Sequence, residues 1–108
     1  LYRAFENVIR NAVRYTKPGT AVLVEAAPAP GGQWLQVCVS DHGPGVDPAR
    51  LQRIFEPFDR GTDSSDGFGL GLAIAQRAIA LHGGSITALA AATGGLRVRI
   101  ELPQAIAT

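Results

Sequence analysis

No methionine occurs among the 108 residues, cysteine occurs once, and aromatic residues make up only 6% of the chain. Each scarcity narrows the reading. A chain without methionine that opens on Leu1-Tyr2-Arg3, already inside a helical pattern, is expected to be an excised fragment of a longer protein. The single Cys38 cannot form an internal disulfide, and inside an apolar alternating run it reads as a buried small hydrophobe in a reducing compartment. With so few rings and 46% hydrophobic residues, the core must be mostly aliphatic. No apolar run approaches the roughly 18 to 20 residues that span a bilayer, and the start lacks a basic-then-apolar targeting pattern. The fragment is therefore not expected to insert in a membrane. Ten basic and nine acidic residues are spread along the length, without the one-sided stripe that nucleic acid requires. Internal repeats are absent, and the only biased segment is Ala-Pro-Ala-Pro-Gly-Gly at 27–32. Size and composition fit one compact domain over residues 1–108.

Against these absences stands clear periodicity. Leu1, Phe5, Val8, Ile9, Ala12 and Val13 recur at helical spacing until Lys17-Pro18-Gly19, which predicts an amphipathic helix over 1–16. Residues 20–27 and 33–40 read as strands of a hairpin closed through Pro28 to Gly32. Asp47-Pro48 is a cap followed by proline at the first helical position, predicting a helix of about two turns through Phe55. Residues 59–68 are polar and glycine-rich, a loop; 70–81 is again helical and stops at Gly83-Gly84; strands follow at 85–91 and 95–102. Helices on one face of a mostly antiparallel mixed sheet make an α+β fold, a two-layer sandwich.

Two segments carry chemistry. Asp41-His42-Gly43-Pro44-Gly45 ends an alternating strand, and Gly67-Phe68-Gly69-Leu70-Gly71 runs into a helix. A carboxylate before a Gly-x-Gly turn can accept from a flat polar ring, and glycines opening a helix offer N–H groups and a dipole to phosphates. Together they suggest a purine nucleotide site. The glycines follow a polar loop and not a strand, which argues against a dinucleotide fold, and no Gly-x-x-x-x-Gly-Lys-Ser/Thr run exists. The first helix adds a polar stripe: at about 100° per residue, Asn7, Asn11 and Arg14 fall within about 60° of one another, opposite Phe5, Ile9 and Ala12. One reading is a solvated face that tolerates asparagine. The other is functional: a carboxamide oxygen is a hard neutral ligand for Mg²⁺, the guanidinium one turn on meets phosphate, and Tyr15 can lie against a base.

In order and spacing, four segments resemble the boxes of the sensor histidine kinases, from Ala4 to Pro103. Glu6-Asn7-Val8-Ile9-Arg10-Asn11-Ala12 resembles the N box, Asp41-His42-Gly43-Pro44-Gly45 the G1 box, Ile54-Phe55-Glu56-Pro57-Phe58 the F box, and Gly67-Phe68-Gly69-Leu70-Gly71-Leu72-Ala73-Ile74 the G2 box. The resemblance implies a Bergerat-type catalytic domain that binds Mg-ATP. In the intact protein it would transfer the γ-phosphoryl group to a histidine on a separate dimerisation domain, in two-component signalling. It further implies a homodimeric parent, a downstream response regulator, and a cytoplasmic position in an inner-membrane sensor protein.

Carried over residue by residue, the resemblance makes Asp41 the acceptor of the adenine amino group, where a guanine carbonyl would be repelled. Asn11 would hold Mg²⁺ between the phosphates, with Asn7 one turn earlier in support and Arg14 reaching the phosphates. Tyr15 would pack near adenine. Gly43 and Gly45 would keep the wall of the base pocket low, Gly67, Gly69 and Gly71 would let the lid fold over the triphosphate, and Phe58, Leu70 and a lid charge, Arg60, would complete the nucleotide site. Phe68 departs from the family's commoner Thr or Ser, and the family's first strand, ahead of this helix, has no counterpart, which is expected to leave a sheet edge or part of the core uncovered. The chain also has no segment like the phosphoacceptor helix, so His42 and His82 read as structural and the isolated domain is expected not to phosphorylate itself. Alternatives from the same superfamily are an ATPase of the gyrase type, which needs a glutamate where Asn7 stands, and an anti-sigma serine kinase; a non-catalytic nucleotide-binding module is the third.

Overall fold

A computed structural model describes residues 1–51, 53–56, 71–92 and 94–104. In chain order the elements are α1 (Tyr2–Tyr15), β1 (Leu23–Pro28), β2 (Trp34–Ser40), two 3₁₀ turns (Pro48–Arg50 and Arg53–Phe55), α2 (Gly71–Leu81), β3 (Ser85–Ala90) and β4 (Leu96–Pro103). The strands form one sheet in the order β1-β2-β4-β3. Every pairing in it is antiparallel. Among the described residues the expected parallel component is not paired: β3 runs the same way as β2, and β4 inserts between them.

Alternation in the strands sends Val37 and Val39 of β2, Ile86 and Ala88 of β3, and Leu96, Val98, Ile100 and Leu102 of β4 to one face, where α1 and α2 cover them. The core is aliphatic, with Ile54, Leu72, Ile79 and Ile100 fully enclosed. The opposite face carries the polar set. There Arg97 pairs with Glu25 at 3.5 Å and donates to Ser40 Oγ at 3.3 Å, and Gln36 donates to Glu101 at 3.4 Å. Cys38 lies buried and unbridged among them. At the sheet edge, all six residues of β1 are exposed.

Three expectations are adjusted. In α1 the buried line is Ala4, Val8 and Ala12, while Ile9 and Val13 stay exposed. The helix packs directly on α2, whose inner face includes Ala75, and small residues at the crossing let the two backbones approach. By helical geometry Asn7 and Asn11 then border the buried line instead of standing opposite it, and both are half-buried. The expected two-turn helix after Asp47 is two 3₁₀ turns. Asp47 caps it as expected, accepting from Ala49 N–H at 2.9 Å, but the turns close on Arg50 N–H to Asp47 O and Glu56 N–H to Arg53 O. So short a helix has little stability of its own, and burial of Ile54 and Phe55 sets the backbone instead. The first strand starts at Leu23 and runs through Pro28, tolerated on an edge strand. The loop expected at 59–68, with Phe58, Arg60, Gly67, Gly69 and Leu70, lies outside the described residues.

Candidate functional site

Asp41 follows the last residue of β2 and is 2% exposed. A buried carboxylate must be satisfied by donors. Its Oδ1 accepts from Gly43 N–H at 2.9 Å and from Leu96 N–H at 3.0 Å, and its own backbone N–H donates to Leu96 O at 3.0 Å. One donor is two residues away in the chain and the other 55, so the carboxylate ties the turn after β2 to the start of β4.

The end of α1 closes on the same turn. Thr16 caps the helix, its N–H donating to Ala12 O at 2.9 Å, and turns extended at ψ 148°. Its hydroxyl accepts from His42 N–H at 3.0 Å, and Lys17 N–H reaches His42 O at 3.4 Å. The His42 ring bonds Ala21 O through Nδ1 at 2.8 Å, and His82 Nδ1 bonds Ala78 O at 2.9 Å, so each imidazole is engaged with backbone. Gly43 passes so close to α1 that a Cβ there would lie under 3.0 Å from the Tyr15 carbonyl oxygen. Gly45 adopts φ 78°, a left-handed conformation that disfavours any side chain, and a Cβ would meet Gly94 O at 2.5 Å.

Of the residues singled out from sequence, the structure thus gathers Tyr15, Asp41, Gly43 and Gly45. Arg14 lies over the Tyr15 ring, 5.6 Å from its centroid, an exposed cation on an aromatic face. Asn11 and Asn7 lie one and two turns back along α1, about 6 and 12 Å from Tyr15 along the axis. Gly71 opens α2, and no described residue outside its own helical turn lies within 4 Å of where its Cβ would stand. Phe58, Arg60, Gly67, Gly69 and Leu70 are outside the described residues. Sequence reasoning missed Thr16, whose only signal was its place before a proline stop, and the Leu96 N–H, for which a backbone donor leaves no signal at all.

Among the described residues no three His, Cys, Asp or Glu side chains gather to hold a metal ion. The half-buried Asn11 carboxamide is a neutral oxygen donor of the kind that fits Mg²⁺, which keeps several waters and draws further ligands from substrate phosphates. No helix among the described residues is long and apolar enough to cross a membrane.

Residues 1–106 match the family described as histidine kinase-, DNA gyrase B- and HSP90-like ATPase. Over 104 residues the chain is 40% identical to the sensor protein KdpD of Escherichia coli (strain K12), a match covering 94% of this chain and 11% of that protein. It thus spans about a tenth of the length of that curated relative. Among solved structures, a mycobacterial sensor histidine kinase, MprB, superposes with a TM-score of 0.83 at 34% identity, covering 94% of this chain and 70% of that one. Full-length ShkA in complex with AMPPNP superposes at 0.81 with 38% identity, covering 97% and 21%.

Proposed function

From the chain's membership of the histidine kinase-, DNA gyrase B- and HSP90-like ATPase family, we propose that it is the ATP-binding, phosphoryl-donating domain of a two-component sensor histidine kinase. The observation that carries the reading is the buried Asp41 carboxylate, anchored by two backbone N–H groups in a glycine turn against the end of the asparagine-bearing helix. An ionised carboxylate only accepts, which matches the N–H₂ of an exocyclic amine and opposes a carbonyl oxygen. Adenine supplies that donor at its 6-position; guanine presents an oxygen there. Tyr15 flanks the base, and Gly43 and Gly45 keep backbone alone beside it.

At the other end of the nucleotide, Asn11 offers its carboxamide oxygen to the metal, Asn7 supports it, and Arg14 places a guanidinium for the phosphates. Bound Mg²⁺ would neutralise charge on the phosphates as the γ-phosphoryl group departs. Gly71, at the start of α2, would offer its end of the helix to the triphosphate, and Phe58, Arg60, Gly67, Gly69 and Leu70 are assigned to the nucleotide by their places in the sequence alone. Transfer requires a nucleophile in line with the γ-phosphate. His42 and His82 each bond a backbone carbonyl, which supports an acceptor outside this chain. The reading entails the parent's own dimerisation domain and a response regulator as partners, with the domain on the cytoplasmic side of an inner membrane. Hydrolysis by a helix glutamate is disfavoured: Glu6 pairs with Arg10 at 3.2 Å on the exposed flank of α1.

Incubation with labelled ATP, followed by mass spectrometry, tests the assignment. The isolated chain stays unlabelled, and adding the parent's dimerisation domain places phosphate on that domain's histidine. Stoichiometric phosphate on His42 or His82 would overturn it.

A further inference from the structure

The turn between β3 and β4 holds two glycines with different jobs. Gly94 has φ 97° with nothing near a built Cβ, and it bends the chain. Gly95 is buried without a left-handed φ, yet a Cβ there would lie under 3.0 Å from the Asp41 carbonyl oxygen, carbonyl carbon and Oδ1. Its requirement is space beside one residue, Asp41, whose backbone carbonyl and carboxylate both press on the site of the missing side chain. We propose that Gly95 is a positioning residue for base recognition: its missing side chain lets the β3–β4 turn seat the Asp41 carboxylate in the orientation that selects an amino-bearing purine. The inference rests on the reading of Asp41 as the adenine acceptor.

Three contacts determine what moves if a methyl group enters. The turn is closed on itself, Ala91 N–H donating to Gly95 O at 2.8 Å and Gly94 N–H to Ala91 O at 2.9 Å. Behind it stands Gly45, whose backbone approaches Gly94 O so closely that a Cβ would sit 2.5 Å away. In front, the next residue, Leu96, donates its N–H to the same Oδ1 that a Gly95 methyl would strike. The turn cannot retreat and Leu96 is held in the sheet by its register with Ala90. The displacement therefore falls on Asp41, whose carbonyl and Oδ1 both meet the methyl group, and a hydrogen bond to the base fails when its acceptor shifts or tilts by a fraction of its length.

The test is calorimetric titration of Gly95→Ala with ATP and with GTP, beside Asp41→Asn and the double variant. Gly95→Ala is expected to weaken ATP about tenfold or more while GTP stays as in the parent, so that discrimination collapses. The double variant is expected to lose no more than Asp41→Asn alone, since both act through one group. A purely structural role would instead weaken both nucleotides alike. Equal weakening, or penalties that add, would overturn the proposal. If Gly95→Ala fails to fold, the unsubstituted protein decides by NMR: saturating ADP should shift the Gly95 and Leu96 amides as well as Gly43. Movement of Gly43 alone would refute the role of the β3–β4 turn. Unchanged ATP preference in folded Asp41→Asn would overturn the base-recognition reading itself, and this inference with it.

Discussion

The two ends of the proposed nucleotide site are built in opposite ways. At the base end, one buried carboxylate is held by backbone from two distant parts of the chain, pressed between glycines with no room for a Cβ. At the phosphate end, Asn7, Asn11 and Arg14 ride on one helix, half-buried or exposed and spaced by the helical period, with the Arg14 guanidinium lying over the Tyr15 ring. The base end is pre-organised by tertiary contacts, which suits recognition of one ring; the phosphate end leaves side chains room to adapt as phosphates and metal arrive. Specificity should therefore be concentrated in few groups, and phosphate binding spread over several.

The largest effects should come from breaking the base end. Asp41→Asn keeps an oxygen for the two backbone donors but brings an amide N–H₂ to the site, and ATP affinity is expected to fall by about 1 to 3 kcal/mol, roughly 5- to 150-fold, in a folded domain. Asp41→Ala should lose as much affinity and also strand the Gly43 and Leu96 N–H groups, lowering stability by roughly 2 kcal/mol or more in a denaturant titration. ATP affinity equal to the parent's in a folded variant would break the comparison outright.

At the phosphate end, Asn11→Ala is expected to reduce the Mg²⁺-dependent gain in ATP affinity roughly tenfold or more, since even outer-shell changes shift metal affinity about 10- to 100-fold. ADP titrated without metal should bind as before. A preserved Mg²⁺ dependence would assign the metal to another ligand.

Arg14→Ala is smaller still. Its side chain is exposed, so the loss should be about 2- to 5-fold for ATP, shrinking further as salt rises from 0.05 to about 0.5 M. A salt-independent loss above about tenfold would mean that this end is as pre-organised as the other. Glu6→Gln closes the series: it deletes only the exposed pair with Arg10, worth about 0.3 to 0.5 kcal/mol, and should leave ATP turnover where it was. A fall in a measured ATPase rate would revive hydrolysis as the domain's chemistry.

Much of this was legible before any coordinates. The helix of residues 2–15, the hairpin, and the strand pair at the end follow from periods of 3.6 and 2, and the polar stripe of Asn7, Asn11 and Arg14 follows from the same helical period. Burial along α1 does not follow hydrophobicity alone. Ile9 and Val13 are greasier than Ala4 and Ala12, but the crossing with α2 selects small residues, so the alanines are enclosed and the branched residues face outward.

Neighbours a few positions apart dictate the two long helices, the four strands, the aliphatic core and the residue types available at the site, whereas the two 3₁₀ turns between 48 and 55 take their form from burial of Ile54 and Phe55. How Asp41 is held follows from packing between segments far apart in the chain. Its second anchor lies 55 residues away and is a backbone N–H, which every residue but proline carries and which no side-chain pattern can announce. The same holds for Gly95: as a letter it is one glycine of a pair, and only the carboxylate packed against its Cα shows why a side chain has no place there.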